Sequence, residues 1–539
     1  MELFTLKNRS LPAVPAPTFS PQPESSIDGI SANPARTSRI AALGRLAIGL
    51  LLASITVGLS SCHSAAYYYY KFPQYTYAGR PIPPSKLAER VMIAVSANGS
   101  SGSLQIVDAL RDIRNNVEDT IPTFQISGYG SGFPSTIFNF PVELAGYVYS
   151  SSDGSLNRIN YSTESASGSV GTFQTGQNSV AVPTTFTRYY GAEEAAGILE
   201  VVDNLSPSGS YALNIPNVYR VAANKGDTVA LAMVRNSNAV YRVFKLNQGQ
   251  YINAPAAMAA TGAVDCQPQI QPVYCAVQVP GTFDRPANVY FSLDGTTAYV
   301  LNCGPECGGT TASITLLQQG PLNNNVIPTS PTQPNPQIAN VPVPGGATTA
   351  LADGTTLYIA GQQLQSDGLF EGFLSTMNLA SNTVTGKYAI SDGTHTKLLF
   401  ADNNTLWIGS QYCATGERQK LGVNYNCLSR VDLSKLASCP QSFPLASPPA
   451  GCPQIVPNVT PNSPTATVPY PNQNANLWYY GNLTGICWVE TFNKVYTAYG
   501  GQVHIFSTVD GSEINNSLVT VQGTALDVAY MDASSDDAN

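Results

Sequence analysis

Asn288–Asn302, NVYFSLDGTTAYVLN, reads as two short strands joined by a tight turn, and weaker copies of it recur along the chain. Ser292, Asp294 and Gly295 are turn formers, and Ala298-Tyr299-Val300-Leu301 is a compact run of apolar β-formers. Comparable stretches are ALADGTTLYIAG (350–361), FADNNTLWIGS (400–410) and ETFNKVYTAYG (490–500). A repeated β-unit is therefore the expected architecture.

Working outward, strand pairs of the same kind run the length of the chain from Ala88. Val91–Ser96 pairs with Ser103–Asp108, Gly146–Ser150 with Ser155–Tyr161, and Thr184–Gly191 with Gly197–Asp203, the least regular of the series. Thr228–Val234 follows with Ala239–Leu246, the opening stretch with Ala312–Leu317, and Thr356–Gly361 with Gly372–Leu379. The last pairs are Thr405–Ser410 with Cys427–Leu433 and Lys494–Gly500 with Gln502–Thr508, and Thr524–Asp532 closes the chain. The turn positions Asp294, Asp353 and Asp402 are 59 and 49 residues apart, and Asn493 lies 91 beyond the last. Uneven spacing with a Cys/Pro-rich insertion at about 411–477 fits propeller blades carrying variable loops, stacked radially because one such unit cannot bury both of its faces.

Asp294-Gly295-Thr296-Thr297-Ala298-Tyr299-Val300-Leu301-Asn302 resembles the repeat of the YVTN-type β-propellers, and Asp353–Ile359 is a second, looser match. The resemblance implies an all-β propeller over residues 88–539, seven-bladed with eight blades as the alternative, in which the segment near Asp527–Met531 completes the first blade. A pair of β-sandwiches or a β-helix is the competing architecture. The same resemblance brings in the lactonase-like propellers, hydrolytic enzymes that work in a central channel, although no residue here matches their catalytic pattern.

Charged residues are 11% of the chain, with 45 glycines, 39 prolines and 29 tyrosines, a composition that suits an extracytoplasmic β protein. Formal net charge is −8. Nucleic acid, which demands a basic surface, is not an expected partner. Arg36, Arg39 and Arg45 precede the apolar run Leu46–Leu59, which has the length of a signal-peptide core and is short for a membrane span. The run ends in Leu59-Ser60-Ser61-Cys62, which resembles the bacterial lipobox. That resemblance implies a leader and signal peptide over residues 1–61, acylation of Cys62, and an anchor of more than one acyl chain in the membrane. An uncleaved signal anchor or an ordinary signal peptide is the alternative. The Tyr/Pro-rich stretch 62–87 then reads as a tether, and His63 after the cysteine favours the outer membrane, facing the periplasm or the cell surface.

Beyond Cys62, eight cysteines fall into close pairs beside Pro/Gly-rich loops: Cys266 with Cys275, Cys303 with Cys307, Cys413 with Cys427, and Cys439 with Cys452. An exported chain makes them disulfide candidates, and Cys487 is left over in an apolar run. No pair has the CxxC spacing of structural zinc, and neither a metal nor a cofactor is expected. There is no HExxH, G-x-S-x-G or P-loop. His504 alternates with strand residues, whereas His395, behind Asp392-Gly393 in a loop, is the histidine with a candidate functional role. The turn aspartates read as stabilisers of their own turns.

These readings converge on a non-enzymatic, lipid-anchored β-propeller of the cell envelope that binds a protein, small molecule or glycan through blade loops and the channel mouth. The alternatives are a lactonase-like or other hydrolytic enzyme and a structural component of an envelope assembly. Mass spectrometry of the protein from its host's membrane fraction should give a diacylated or triacylated N-terminal Cys62, with four disulfides and one thiol. A chain beginning upstream of Cys62 with reduced cysteines overturns the anchor.

Overall fold

The computed structural model describes residues 79–99, 101–113, 124–174, 176–246, 254–267, 272–412, 427–441, 448–456, 481–514 and 519–536. The lipobox residues Leu59–Ser61, Cys62, His63, Cys413 and most of the 411–477 insertion lie outside the described residues.

Eight antiparallel sheets, seven of four strands and one of five, make eight blades. The expectation of seven is thus corrected. The weakest unit in the sequence is a full blade, because Ser179–Ala181 and Gly209–Asn214 add an inner and an outer strand to the pair Arg188–Glu193 and Ile198–Asp203. The innermost strands, from blade 1 to blade 8, are Thr524–Tyr530, Pro134–Phe140, Ser179–Ala181, Val218–Ala223, Pro286–Phe291, Thr349–Ala352, Thr394–Ala401 and Leu483–Val489. The inner strand of blade 1 packs against those of blades 2 and 8, and the inner strands of blades 3 to 8 pack against one another in turn around the central channel.

The second strand of each blade explains the apolar runs in the sequence, because both of its faces are covered. In Thr297–Asn302, Ala298 and Val300 point into the interface with blade 4, whereas Tyr299 and Leu301 point into the interface with blade 6. Arg90–Ser96 splits in the same way, with Val91, Ile93 and Val95 toward blade 8 and Met92 and Ala94 toward blade 2. Each of the eight blade-to-blade interfaces has a hydrophobic cluster of its own. Leu and Val side chains buried this way contribute about 1.5–3 kcal/mol each.

The ring is closed by the end of the chain. Thr524–Tyr530 pairs antiparallel with Arg90–Ser96, so blade 1 combines one C-terminal strand with three N-terminal ones. Asp532, just past that strand, accepts from Arg90 Nη2 at 2.6 Å, Arg90 Nε at 3.0 Å, the Arg90 backbone N–H at 2.7 Å and Arg80 Nη1 at 2.6 Å. Arg90 Nη1 also reaches Glu164 of blade 2 at 3.0 Å and the Tyr161 carbonyl at 2.7 Å. Two further latches follow one rule, a cation and a tyrosine two residues apart on one blade clasping an aspartate of the next. Arg188 and Tyr190 hold Asp227, and Lys494 and Tyr496 hold Asp112.

Cys266–Cys275, Cys303–Cys307 and Cys439–Cys452 are disulfides, and Cys427 is disulfide-bonded as well. Cys266 and Cys275 face each other as cross-strand partners on the five-stranded blade 4. Cys487 is a buried thiol.

Because both partners at the closure are buried, Asp532→Ala leaves Arg90 short of its main countercharge and should cost about 3–5 kcal/mol in chemical denaturation. Lys435→Met, which removes an ion pair to Asp432 from a lysine 58% exposed, should shift stability by no more than about 0.5 kcal/mol. Equal losses in the two variants would show that the closure network is not what holds the ring.

Candidate functional site

The inner strands carry a recurring irregularity. In six of the eight, one residue near the start is skipped by the pairing with the next strand: Ser135, Tyr219, Ala287, Thr396, Thr484 and Leu526. Each skip is a β-bulge, which bends the strand and re-aims the side chains beside it. Tyr219, Ala287 and Thr396 accordingly line a cavity of about 570 Å³ at the channel end where the inner strands begin, here the upper mouth. That volume suits a small organic molecule.

The polar lining comes from blades 3 to 7. Arg220 follows the bulge of blade 4, and Arg285 precedes the inner strand of blade 5. Arg235 and Glu306 stand on loops between second and third strands. Arg235 lies 4.2 Å over the Tyr219 ring and is ion-paired with Glu194. Arg285 adopts φ 58°, a left-handed conformation costly for a side-chain-bearing residue, and is pinned by its backbone N–H to Asn238 Oδ1 at 3.1 Å. Its side chain donates to the Gly308 carbonyl at 3.3 Å and has Asp284 as an acidic neighbour. Arg220 has no hydrogen bond or ion pair to any described residue, and burial pulls its guanidinium pKa below the usual value.

Glu306 sits in the short turn Gly304–Cys307 that the Cys303–Cys307 disulfide closes. Its carboxyl accepts from the Gln362 backbone N–H at 2.8 Å and from Gln362 Nε2 at 3.0 Å, which ties blade 5 to blade 6. Burial pushes its pKa up to about 7, and the two Gln362 donors pull the other way. His395 is buried at the same mouth, and burial brings its pKa down to about 4 against the bond to the Ser391 carbonyl at 2.8 Å. The ring is therefore neutral near pH 7. With Nε2 donating to Ser391, Nδ1 carries the lone pair and has no described partner. Gly372 makes this arrangement possible, because a Cβ there would stand 2.1 Å from the Ser391 carbonyl oxygen.

Asp392 is buried beside this histidine and accepts from the Gly372 backbone N–H at 2.8 Å. Asp294 and Asp353 serve their own turns through Thr296, Thr355 and Thr356. Asp402 reaches across to the Asn493 backbone N–H of blade 8 at 2.8 Å. His504 meets Glu513 at 2.7 Å on the outer strands of blade 8, away from the channel. Among the described residues no three His, Cys, Asp or Glu side chains converge as a metal site would require. At the opposite, lower mouth a cavity of about 400 Å³ is lined largely by apolar groups, Tyr290, Phe291, Leu293, Leu351 and Phe400.

No protein-family model matches the chain, and no curated protein matches it in sequence. Solved structures with a similar fold include Kuenenia stuttgartiensis hydrazine synthase, with 12% identity over 73% of this chain and 99% of that one and a TM-score of 0.41. Dihydro-heme d1 dehydrogenase NirN shares 11% identity over 86% of this chain and 83% of its own, with a TM-score of 0.46. The Cps50 (Swd1) propeller domain from Myceliophteria thermophila shares 8% over 69% and 96%, with a TM-score of 0.41. At such identities the likeness concerns fold alone.

The mouth arginines and Glu306 were not legible as a site. A signal existed in Asn217-Val218-Tyr219-Arg220, an arginine within a strand-like stretch just before the pair that was read as the whole unit.

Glu306 makes a testable contribution to stability. Its folded-state pKa of about 7 exceeds the ordinary 4.5, so the folded protein holds the proton more tightly and loses stability as pH rises from 4.5 to 7. Glu306→Gln, which cannot ionise, should gain on the wild type by about 2 kcal/mol between pH 4.5 and pH 8, allowing for the group's partial exposure to the cavity. Thermal melts at both pH values measure this, and a difference that stays flat with pH would overturn the assignment.

Proposed function

We propose that this chain is a YVTN-type, lipid-anchored propeller of the cell envelope that binds a small molecule at the upper channel mouth, without catalysing a reaction on it. One observation carries this reading: bulged inner strands of blades 4, 5 and 7 aim side chains into a single polar cavity of about 570 Å³. A rigid ring of blades holds those side chains at fixed positions, as a binding site needs. The anchor rests on Leu59-Ser60-Ser61-Cys62 and the apolar run before it, and an outer-membrane location on the same segment.

The hydrolytic alternative would draw on Glu306, whose raised pKa suits proton transfer near neutrality, with His395 as a neutral neighbour in the lining. The two groups are committed to structural partners, Gln362 and the Ser391 carbonyl, which favours binding over turnover. A protein partner, as in an envelope assembly, has a different observation in its favour, the apolar lower mouth with Leu293 70% exposed.

Ala287→Trp places an indole in the upper mouth without entering a blade interface. In a thermal-shift screen against small metabolites, the wild type should be stabilised by at least one compound that leaves the Trp variant unmoved. Stabilisation of both proteins alike, or product formation from any compound that stabilises the wild type, would overturn the proposal.

A further inference from the structure

The six bulges create a register position that the ring repeats, the residue immediately past the bulge. These residues are Thr136, Arg220, Asn288, Lys397, Gly485 and Asp527. Three of the six are charged, and two of those are neighbours in space. Lys397 Nζ of blade 7 lies 3.9 Å from Asp527 Oδ1 of blade 1, across blade 8. Gly485 is the reason they meet, since a Cβ on it would stand 2.4 Å from that same carboxylate oxygen. Asp527 also accepts from the Ile137 backbone N–H at 2.8 Å, which fastens it to blade 2. The lysine and the aspartate therefore account for each other, and the third charge, on Arg220, is left over.

Among the described residues nothing else at the mouth answers it. Arg235 already uses Glu194, Arg285 has Asp284 beside it, and Glu306 turns its oxygens to Gln362. An arginine set among protein walls with no partner among the described residues costs stability, a cost that an anionic group entering the cavity would offset. Asn178, Asn236 and Asn288 add neutral amides to the same lining. A planar guanidinium flanked by amides matches the two oxygens of a carboxylate or phosphate group.

We propose that the upper mouth binds an anionic small molecule whose carboxylate or phosphate group is held by Arg220. The inference rests on the mouth being a ligand site and names the ligand's charge. The protein as a whole carries −8, so the chain's overall field does not draw such a ligand in, and recognition depends on the local contact.

Calorimetric titration of the full chain with citrate, inorganic phosphate, glucose 6-phosphate and neutral glucose tests this in the wild type, Arg220→Gln, Arg220→Lys and Ala287→Trp. At least one anion should bind the wild type, lose about tenfold or more in affinity in Arg220→Gln, less in Arg220→Lys, and disappear in Ala287→Trp. Whether citrate or the phosphates prevail assigns the head group. Ligand-free Arg220→Gln should melt at or above the wild-type Tm, because an uncompensated cation is gone. If that variant does not fold, Arg220→Lys carries the comparison, since it keeps the charge and loses the planar fork. Anion binding unchanged in either variant overturns the inference, as does a ligand-free Arg220→Gln that folds but melts well below the wild type. Glucose bound equally by wild type and Arg220→Gln, and blocked by Ala287→Trp, overturns the anionic ligand and leaves the mouth as a binding site. No binding by any probe overturns the anion and removes support from the mouth together.

Discussion

The structure depends on one strand being returned to the start of the chain. Thr524–Tyr530 is separated from its partner Arg90–Ser96 by more than four hundred residues, and closing so long a loop is entropically unfavourable. The compensation is concentrated at the seam. Asp532 gathers Arg80 and Arg90, and Arg90 in turn reaches Glu164, so the last strand of the chain is locked to blade 1 and blade 2 at once. Residues just before the first strand join the lock, with Ser85 donating to Glu164 and Leu87 buried in the blade 1 to blade 2 interface. A ring closed by pairing the last strand to the first leaves only short sheet edges, turned to the channel or the rim, which is how propellers protect them.

Closure fixes what the channel can present. Inner strands packed against their neighbours around the channel have little freedom, and the bulges are where the remaining freedom is used. Tyr219, Ala287 and Thr396 are turned toward the upper mouth by the same local insertion, although the three side chains have nothing in common. The residue after each bulge inherits a place on the channel wall. At blades 7, 8 and 1 that place is filled by Lys397, Gly485 and Asp527, a lysine and an aspartate meeting over a glycine, and at blade 4 by Arg220. The two ends of the channel consequently differ in kind, one polar and cationic, the other lined with aromatic and aliphatic groups.

How much of this could be read beforehand follows from burial. The second and third strands of every blade are covered on both faces, so they appear as apolar runs such as VMIAVS, TVALAMV and TLYIAG, and each such pair in the sequence corresponds to two adjacent strands in a sheet. Inner and outer strands are covered on fewer sides and read poorly. Ser165–Thr172, SASGSVGT, is an outer strand with no buried residue, and Ser179–Ala181 has three residues, which is why blade 3 looked incomplete and seven blades were expected. The bulges were invisible for another reason: their residues are Ser, Tyr, Ala, Thr, Thr and Leu, so the feature lies in the pairing and not in the residue type. His395 was expected in a loop but lies in the inner strand Thr394–Ala401 of blade 7, because the turn formers Asp392-Gly393 end just before it; it does reach the mouth, and its neutrality comes from burial that only the folded ring supplies.

The unfavourable features of the upper mouth are the argument for its use. Arg285 holds a left-handed backbone, Glu306 is kept partly protonated by its surroundings, and Arg220 is set among protein walls without a partner among the described residues. Each lowers stability by an amount on the order of 1 kcal/mol or more. The neighbouring blades supply Gln362 to Glu306 and Asn238 to Arg285 but, among the described residues, no countercharge to Arg220, and their own aspartates are already matched in the latches at Asp112, Asp227 and Asp532. A fold that matches Asp112, Asp227 and Asp532 with cations across its blade interfaces, and leaves Arg220 without a partner among the described residues at the rim of a cavity, has placed that charge where a ligand can reach it.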